Sequence, residues 1–423
     1  MGGSLFSSGD DPLHTPRMPP HVYHQVKAAC HAVLRSMFLC VATPIEGPEK
    51  ENYGDLDILV TMETGLVFPT SPQQVVPREL EELAADIKTA SNAERVMVNP
   101  HTSSVHLAIP WPKLDFPVGE KREDTPLRFV QVDVHICRDL DQMFWGLFKS
   151  AHGDAWTLLG SIIRPFGLTA DDEGLWLRIP EIEKLDRKKA RVLLTTDPVE
   201  VLHFLGMQVE GYWSEPFATI DDMFTYISTC RFFVQESSSE CLQGSSNSTN
   251  KRNMKTRPIF RKWFEDFLPR LRVDDHSELQ RQGVVSPSDL RVRVRDEAFQ
   301  TFCVESTYRT QLKDWRLKKE PEMVKNLIRS AIPDNLDPQF RGSLLSAIKK
   351  IVMEDSTEFG GPRPKTPLRD EEGFYDKEMT RAFVEEHWEE IGKIAFKKYS
   401  EAYYAGLQAK KLKDAQGTAI HSQ

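Results

Sequence analysis

Tyr53-Gly54-Asp55-Leu56-Asp57-Ile58-Leu59-Val60 is the stretch on which the fold turns. Leu56 to Met62 reads as a strand, and a polar loop, TPIEGPEKENYG at 43–54, leads into it. Side chains at i and i+2 share one face of a strand, so Asp55 and Asp57 point one way while Leu56 and Ile58 point into a core. Further on, LRFVQVDVHIC at 127–137 alternates Val130, Val132, Val134 and Ile136 with Gln131, Asp133 and His135. That alternation predicts a second strand with one buried face and one face open to a site. If the two strands are neighbours, Asp55, Asp57 and Asp133 converge.

Working outward, Val22, Val26, Ala29, Val33 and Met37 recur at helical spacing and predict a first helix over 20–36. Phe38 to Ala42 reads as a short buried strand, 78–90 as a helix, and 93–98 with 104–110 as a hairpin turning at NPHTSS. Beyond 140 the pattern is helical, broken by a small hairpin at 167–179. Two low-complexity stretches, 237–251 and 357–373, read as loops or linkers. The expected fold class is α+β, a mixed-sheet domain followed by a mainly α-helical one. In domain terms this gives a disordered 1–19, a sheet domain at 20–140, a helical domain at 141–356 and a linker at 357–374. A terminal helix at 375–413 and a disordered tail at 414–423 complete it.

The composition narrows the function classes. In 423 residues, 40% hydrophobic and 28% charged, there is no apolar run long enough to span a bilayer, so no membrane partner is expected. The N-terminus lacks a signal-peptide pattern, and Phe6 stands where a myristoylation signal wants Ser or Thr. Cys30, Cys40, Cys137, Cys230, Cys241 and Cys303 show no ligand spacing, which suits reduced thiols in an intracellular, cytoplasmic or nuclear protein. The net charge of −9 argues against indiscriminate nucleic-acid binding but leaves room for a local basic patch. Oligomeric state is not legible.

Three carboxylates on one face repel one another and call for compensation. Oxygen-only ligands suit Mg2+, or Mn2+, better than zinc. Two such ions roughly 3.5–4 Å apart can clamp the attacking and leaving oxygens of a phosphoryl displacement. Asp55 and Asp57 are then the bridging ligands. Asp133 binds one metal and accepts the proton of the acceptor hydroxyl.

This arrangement resembles the DNA polymerase β-like nucleotidyltransferase superfamily, which includes poly(A) polymerases and CCA-adding enzymes. That family carries a hydrophobic residue, Gly, then Gly or Ser, and about a dozen residues later an acidic-hydrophobic-acidic-hydrophobic run. Here Val41-Ala42-Thr43 stands ahead of Asp55-Leu56-Asp57-Ile58, with Ala42 in place of the glycine. The resemblance covers roughly residues 20–140. It implies a palm-type catalytic domain, a nucleoside triphosphate (ATP or another NTP) as substrate, magnesium, and release of pyrophosphate. Ala42 and Thr43 would then lie at the triphosphate, and Lys149 and His152 are candidate phosphate contacts with Trp156 as a stacking surface. Their plainer reading is a helix–helix turn.

Lys251 to Lys262 holds six cations in twelve residues with no acid, enough to neutralise phosphates of an RNA acceptor. Phe260 and Trp263 could stack bases there or belong to a core. The Arg/Val alternation at 289–297 suits an edge strand or the start of a helix. Two alternatives stay open: a catalytically silent nucleotidyltransferase fold acting as a binding or scaffold module, and an α-helical interaction protein whose three aspartates lie far apart.

Overall fold

In a computed structural model, which describes residues 3–68, 78–112, 127–233, 248–271 and 287–420, the chain divides into two compact units, 1–305 and 306–423. The first unit is mixed α/β. Five strands, β1 (Phe38–Ala42), β2 (Asp55–Glu63), β3 (Arg95–Asn99), β4 (Ser104–Pro110) and β5 (Phe129–Ile136), form one sheet in the order β1-β2-β5-β4-β3. Only β2 and β5 run parallel; the other pairs are antiparallel.

One sheet face carries Leu56, Ile58, Val60, Val105, Leu107, Val130, Val132 and Val134, all buried in a single cluster. Helix α1 (Pro20–Leu34) and helix α2 (Leu80–Ala90) cover it. The prolines at 19 and 20 fix φ where the first helical turn has no use for an N–H. The face of α1 that is buried, Val22, Tyr23, Val26, Cys30 and Leu34, is rotated from the expected one, and Ala29 is exposed. Tyr23 draws the helix round, because its ring stacks on Tyr53 at 3.8 Å between centroids and its hydroxyl bonds Glu46.

The opposite face bears the aspartates. At its β1 side it is covered by helix α3 (Leu140–Ser150), where Gly146 admits the side chain of Leu59 into a space that a Cβ would fill. Asp139 caps this helix by accepting the Gln142 N–H at 2.8 Å. At its β3 side the face is covered by residues 3–18, although their composition predicts disorder. Phe6 is buried with Ala108 and Phe129, Phe129 donates its N–H to the His14 carbonyl at 2.9 Å, and Met18 pairs with Tyr53. A few apolar side chains and an edge to pair with were enough.

Helix α4 (Ala155–Ile163) follows α3, and a second sheet, β6 (Leu168–Ala170), β7 (Leu175–Arg178) and β8 (Arg191–Thr195), extends the expected hairpin by one strand. The Arg/Val run at 289–297 lies inside a helix, Pro287–Phe302. Of the low-complexity stretch 237–251, residues 237–247 lie outside the described residues.

The second unit is helical: Glu305–Ser330, Pro338–Glu354 and Lys377–Ile420. The terminal helix runs past residue 413, where a tail was expected. Residues 357–374 are no plain linker. Leu368 and Tyr375 are buried in this unit's core with Val324, Ile348 and Val384, and the Tyr375 N–H donates to Glu320 Oε1 at 3.1 Å.

Ile58 has no exposed surface and Leu39, on the edge strand β1, is 43% exposed. Ile58→Ala should therefore cost about 2–5 kcal/mol, and Leu39→Ala no more than about 0.5 kcal/mol. Urea titration of the two variants checks the contrast.

Candidate functional site

The parallel pairing of β2 with β5 sets Asp57 directly opposite Asp133 and Asp55 opposite Gln131. Neighbouring strands lie about 4.8 Å apart, so two carboxylates stand side by side and the third is one pleat away on the same face. Antiparallel β4 adds His106 opposite Asp133 and Ser104 opposite His135. The three aspartates therefore share one small patch of the sheet.

Asp133 and Asp57 have each found different protein partners. Gln131 Nε2 donates to both oxygens of Asp133, at 3.1 and 3.0 Å, and His106 Nδ1 lies 2.8 Å from Asp133 Oδ1. His135 Nε2 lies 3.1 Å from Asp57 Oδ1. Ser104 Oγ lies 2.9 Å from His135 Nδ1 and 3.2 Å from the Thr102 carbonyl. Beside the Asp57 carboxylate the charged imidazolium is favoured. Burial opposes that charge, but the hydrogen bond and charge of Asp57, with Asp133 and Asp172 beyond, outweigh it and raise the imidazole pKa. Ser104, His135 and Asp57 stand in the order of a hydrolase triad. Ser104 is 1% exposed, however, and cannot reach a substrate.

Asp55 carries the strain of the cluster. Burial first, then the charges of Asp57 and Asp133, push its carboxyl up to about 6, against the pull of Lys50. Lys50 is held by Glu46 at 2.8 Å and lies 4.5 Å over the Tyr53 ring.

Three oxygen-only donors and a carboxyl that resists ionisation fit a hard divalent cation in kind. Their present rotamers do not gather on it: among the described residues no group of three His, Cys, Asp or Glu side chains is set around a common metal position. Asp133 instead faces Gln131 and His106, and Asp57 faces His135.

The remaining expected site residues have other partners. Ala42 ends β1 opposite Leu59 and packs on Leu59, Cys137 and Met143. The Thr43 hydroxyl lies 2.7 Å from His31 Nε2. His152, a candidate phosphate contact, is enclosed by protein. It is 0% exposed, its ring sits edge-on to Tyr212, and its Nε2 lies 2.7 Å from the Tyr212 carbonyl. With φ of +58° it turns the chain between α3 and α4, and its N–H fixes the Ile45 carbonyl of the 43–54 loop at 2.8 Å. Lys149 is paired with Asp172 at 2.5 Å. Trp156 is buried against Phe148 and offers no stacking surface.

In the basic stretch, Lys251, Arg252, Lys255, Arg261 and Lys262 are exposed, while Arg257 pairs with Asp154. Phe260 and Trp263 are buried, Trp263 with Phe224 and Phe267, so base stacking on them is excluded. The strand Val130–Ile136 is also less open than its alternation suggests, with Gln131 and Asp133 buried. Gln131 and His135 were visible in the alternation as polar residues on the face of Asp133. His106 and Lys50 were not, because only strand register and loop packing bring them in.

Asp55 generates a pH test. A carboxyl whose folded pKa is raised from 3.8 to about 6 binds its proton more tightly when folded, so its burial destabilises the fold as pH rises through that window. Asp55→Asn should match the wild type near pH 4 in chelator and exceed it at pH 8, by at most about 3 kcal/mol from about 1.4 kcal/mol per pKa unit. Denaturant midpoints at the two pH values decide it; a constant difference would be contrary. In comparisons with known proteins, no family model and no curated protein matches the chain.

Proposed function

We propose that the chain is a metal-dependent nucleotidyltransferase, moving a nucleoside monophosphate from an NTP to an acceptor hydroxyl with release of pyrophosphate. The observation that carries this is the in-register pairing of Asp57 with Asp133 on parallel neighbouring strands, with Asp55 on the same face. A palm-type sheet of this superfamily supplies such a trio, and the mixed sheet with helices on its far side is compatible with it.

On this reading Asp55, Asp57 and Asp133 hold Mg2+ or Mn2+, which supplies charge for the triphosphate and a more acidic acceptor hydroxyl. Asp133 accepts the acceptor proton. Its burial keeps water from competing for that carboxylate. Gln131 and His106 hold it in one orientation. His135 is the counter-ion of Asp57 when no other cation is present. Thr43 and the amides that follow β1 lie at the triphosphate. The acceptor is an RNA 3′ end, recognised through the exposed cations between Lys251 and Lys262.

A second reading has its own support. The carboxylates satisfied by protein donors, with Ala42 packed into an apolar cluster, suit a silent nucleotidyltransferase fold that binds or scaffolds. Calorimetry with ATP, CTP, GTP and UTP, with and without magnesium, separates them: the silent module shows no metal-dependent binding.

For the enzyme, Asp133→Asn should reduce labelled-nucleotide transfer by on the order of a thousandfold or more, the scale set by losing a catalytic base and a metal ligand together. Its NTP affinity and thermal midpoint should stay near the wild type. Turnover at the wild-type rate in that variant would remove the mechanism. Replacing Lys251, Arg252 and Lys255 with Gln should weaken RNA binding and flatten its salt dependence by about three phosphate contacts, read from Kd against salt concentration.

A further inference from the structure

Gln131 is buried on the carboxylate face, and both ends of its amide are committed. Nε2 donates to the two oxygens of Asp133, and Oε1 accepts the Leu5 N–H at 3.0 Å. An amide turned end for end would lose both, because the Leu5 N–H needs an oxygen and the carboxylate needs a donor. The backbone of residue 5 therefore decides which end of Gln131 faces Asp133.

Leu5 is itself held in place. Gly3, at φ +86°, lies so close to the Gly54 carbonyl, the residue before Asp55, that a Cβ there would come within 2.0 Å of the oxygen. Thr15 Oγ1 donates to the Gly3 carbonyl at 2.7 Å, and the Leu13 N–H donates to the Phe6 carbonyl at 2.8 Å, closing the segment into a loop. Phe6 anchors the loop among Ala108 and Phe129, and Arg95 pairs with Asp11 at its far side. One tethered segment thus touches the residue before Asp55 and the side chain that grips Asp133.

We propose that Gln131 is a positioning residue that couples the N-terminal segment, residues 3–18, to the orientation of Asp133. The inference rests on the metal-dependent transferase reading. Gln131 touches neither substrate nor metal; it acts through the carboxylate. Outer partners of metal-binding carboxylates typically change affinity or activity by about 10–100-fold.

The test uses the full chain and three variants: Gln131→Leu removes the amide, Leu5→Pro removes the N–H donor while fixing φ at that position, and Gly3→Val displaces the segment from Gly54. Mn2+ affinity is read by electron paramagnetic resonance, and kcat with NTP KM by labelled-nucleotide transfer. Amide exchange along β5 confirms the fold. Gln131→Leu is expected to weaken Mn2+ binding and lower kcat by about 10–100-fold with NTP KM little changed, and the other two to follow in the same direction. A merely structural glutamine would lower stability and leave the kcat-to-KM split alone.

Unchanged Mn2+ affinity and kcat in a folded Gln131→Leu protein overturn the proposal, as does an effect confined to that variant. If the wild type binds Mn2+ but transfers nothing to any acceptor, the transferase reading falls while the Mn2+ affinities still judge the positioning. If the wild type binds no Mn2+, both fall.

Discussion

The parallel, in-register pairing of β2 with β5 is the constraint from which the rest of the first unit follows. It places two carboxylates on adjacent strands with a third one pleat away, in a face that helices and an N-terminal segment cover. Like charges at strand spacing cost free energy, more so where water is excluded. The structure offsets that cost with His106, His135, Gln131 and Lys50, and leaves Asp55 reluctant to ionise. A fold seeking only stability would put Val or Ile at these positions.

The opposite face shows what the sheet needs simply to persist. Leu56, Ile58, Val60, Val132 and Val134 make one continuous apolar layer beneath α1 and α2. Two rows of residues on the same strands thus serve opposite ends, and the two-residue period of the strand keeps them apart. Around the site, rigidity comes from backbone contacts as well. The 43–54 loop is fixed by Tyr23 against Tyr53, by Ile45 on His152 and by the Ile220 N–H donating to Glu49 at 3.2 Å.

Much of this was legible residue by residue. The alternation at 130–136 and the i, i+2 spacing of Asp55 and Asp57 located both strands and assigned their faces, because side-chain direction along a strand depends on local geometry alone. The hydrophobic period located α1 and its buried Val22 and Val26 but not Tyr23, which is oriented by a stacking partner thirty positions away. His152 and Trp156 were open to a ligand role, with a helix–helix turn as the plainer reading. They are packing residues, and nothing local distinguishes an accessible histidine from one enclosed by Tyr212 and Phe217. Phe260 and Trp263 took the core alternative that their helical spacing also allowed.

The sequence by itself determined that Asp55 and Asp57 share a face, that Asp133 lies on the polar side of its own strand, and that a mixed sheet precedes a helical region. It also excluded a long apolar span, and among the described residues no helix is long and apolar enough to cross a membrane. Only the tertiary structure decided that β2 and β5 are neighbours, that they run parallel, and that their register is Asp57 to Asp133. Only it brought His106 and the N-terminal segment onto the cluster. The division has one physical cause: face alternation is written in bonds between adjacent residues, whereas register and cover depend on which distant surfaces bury one another best.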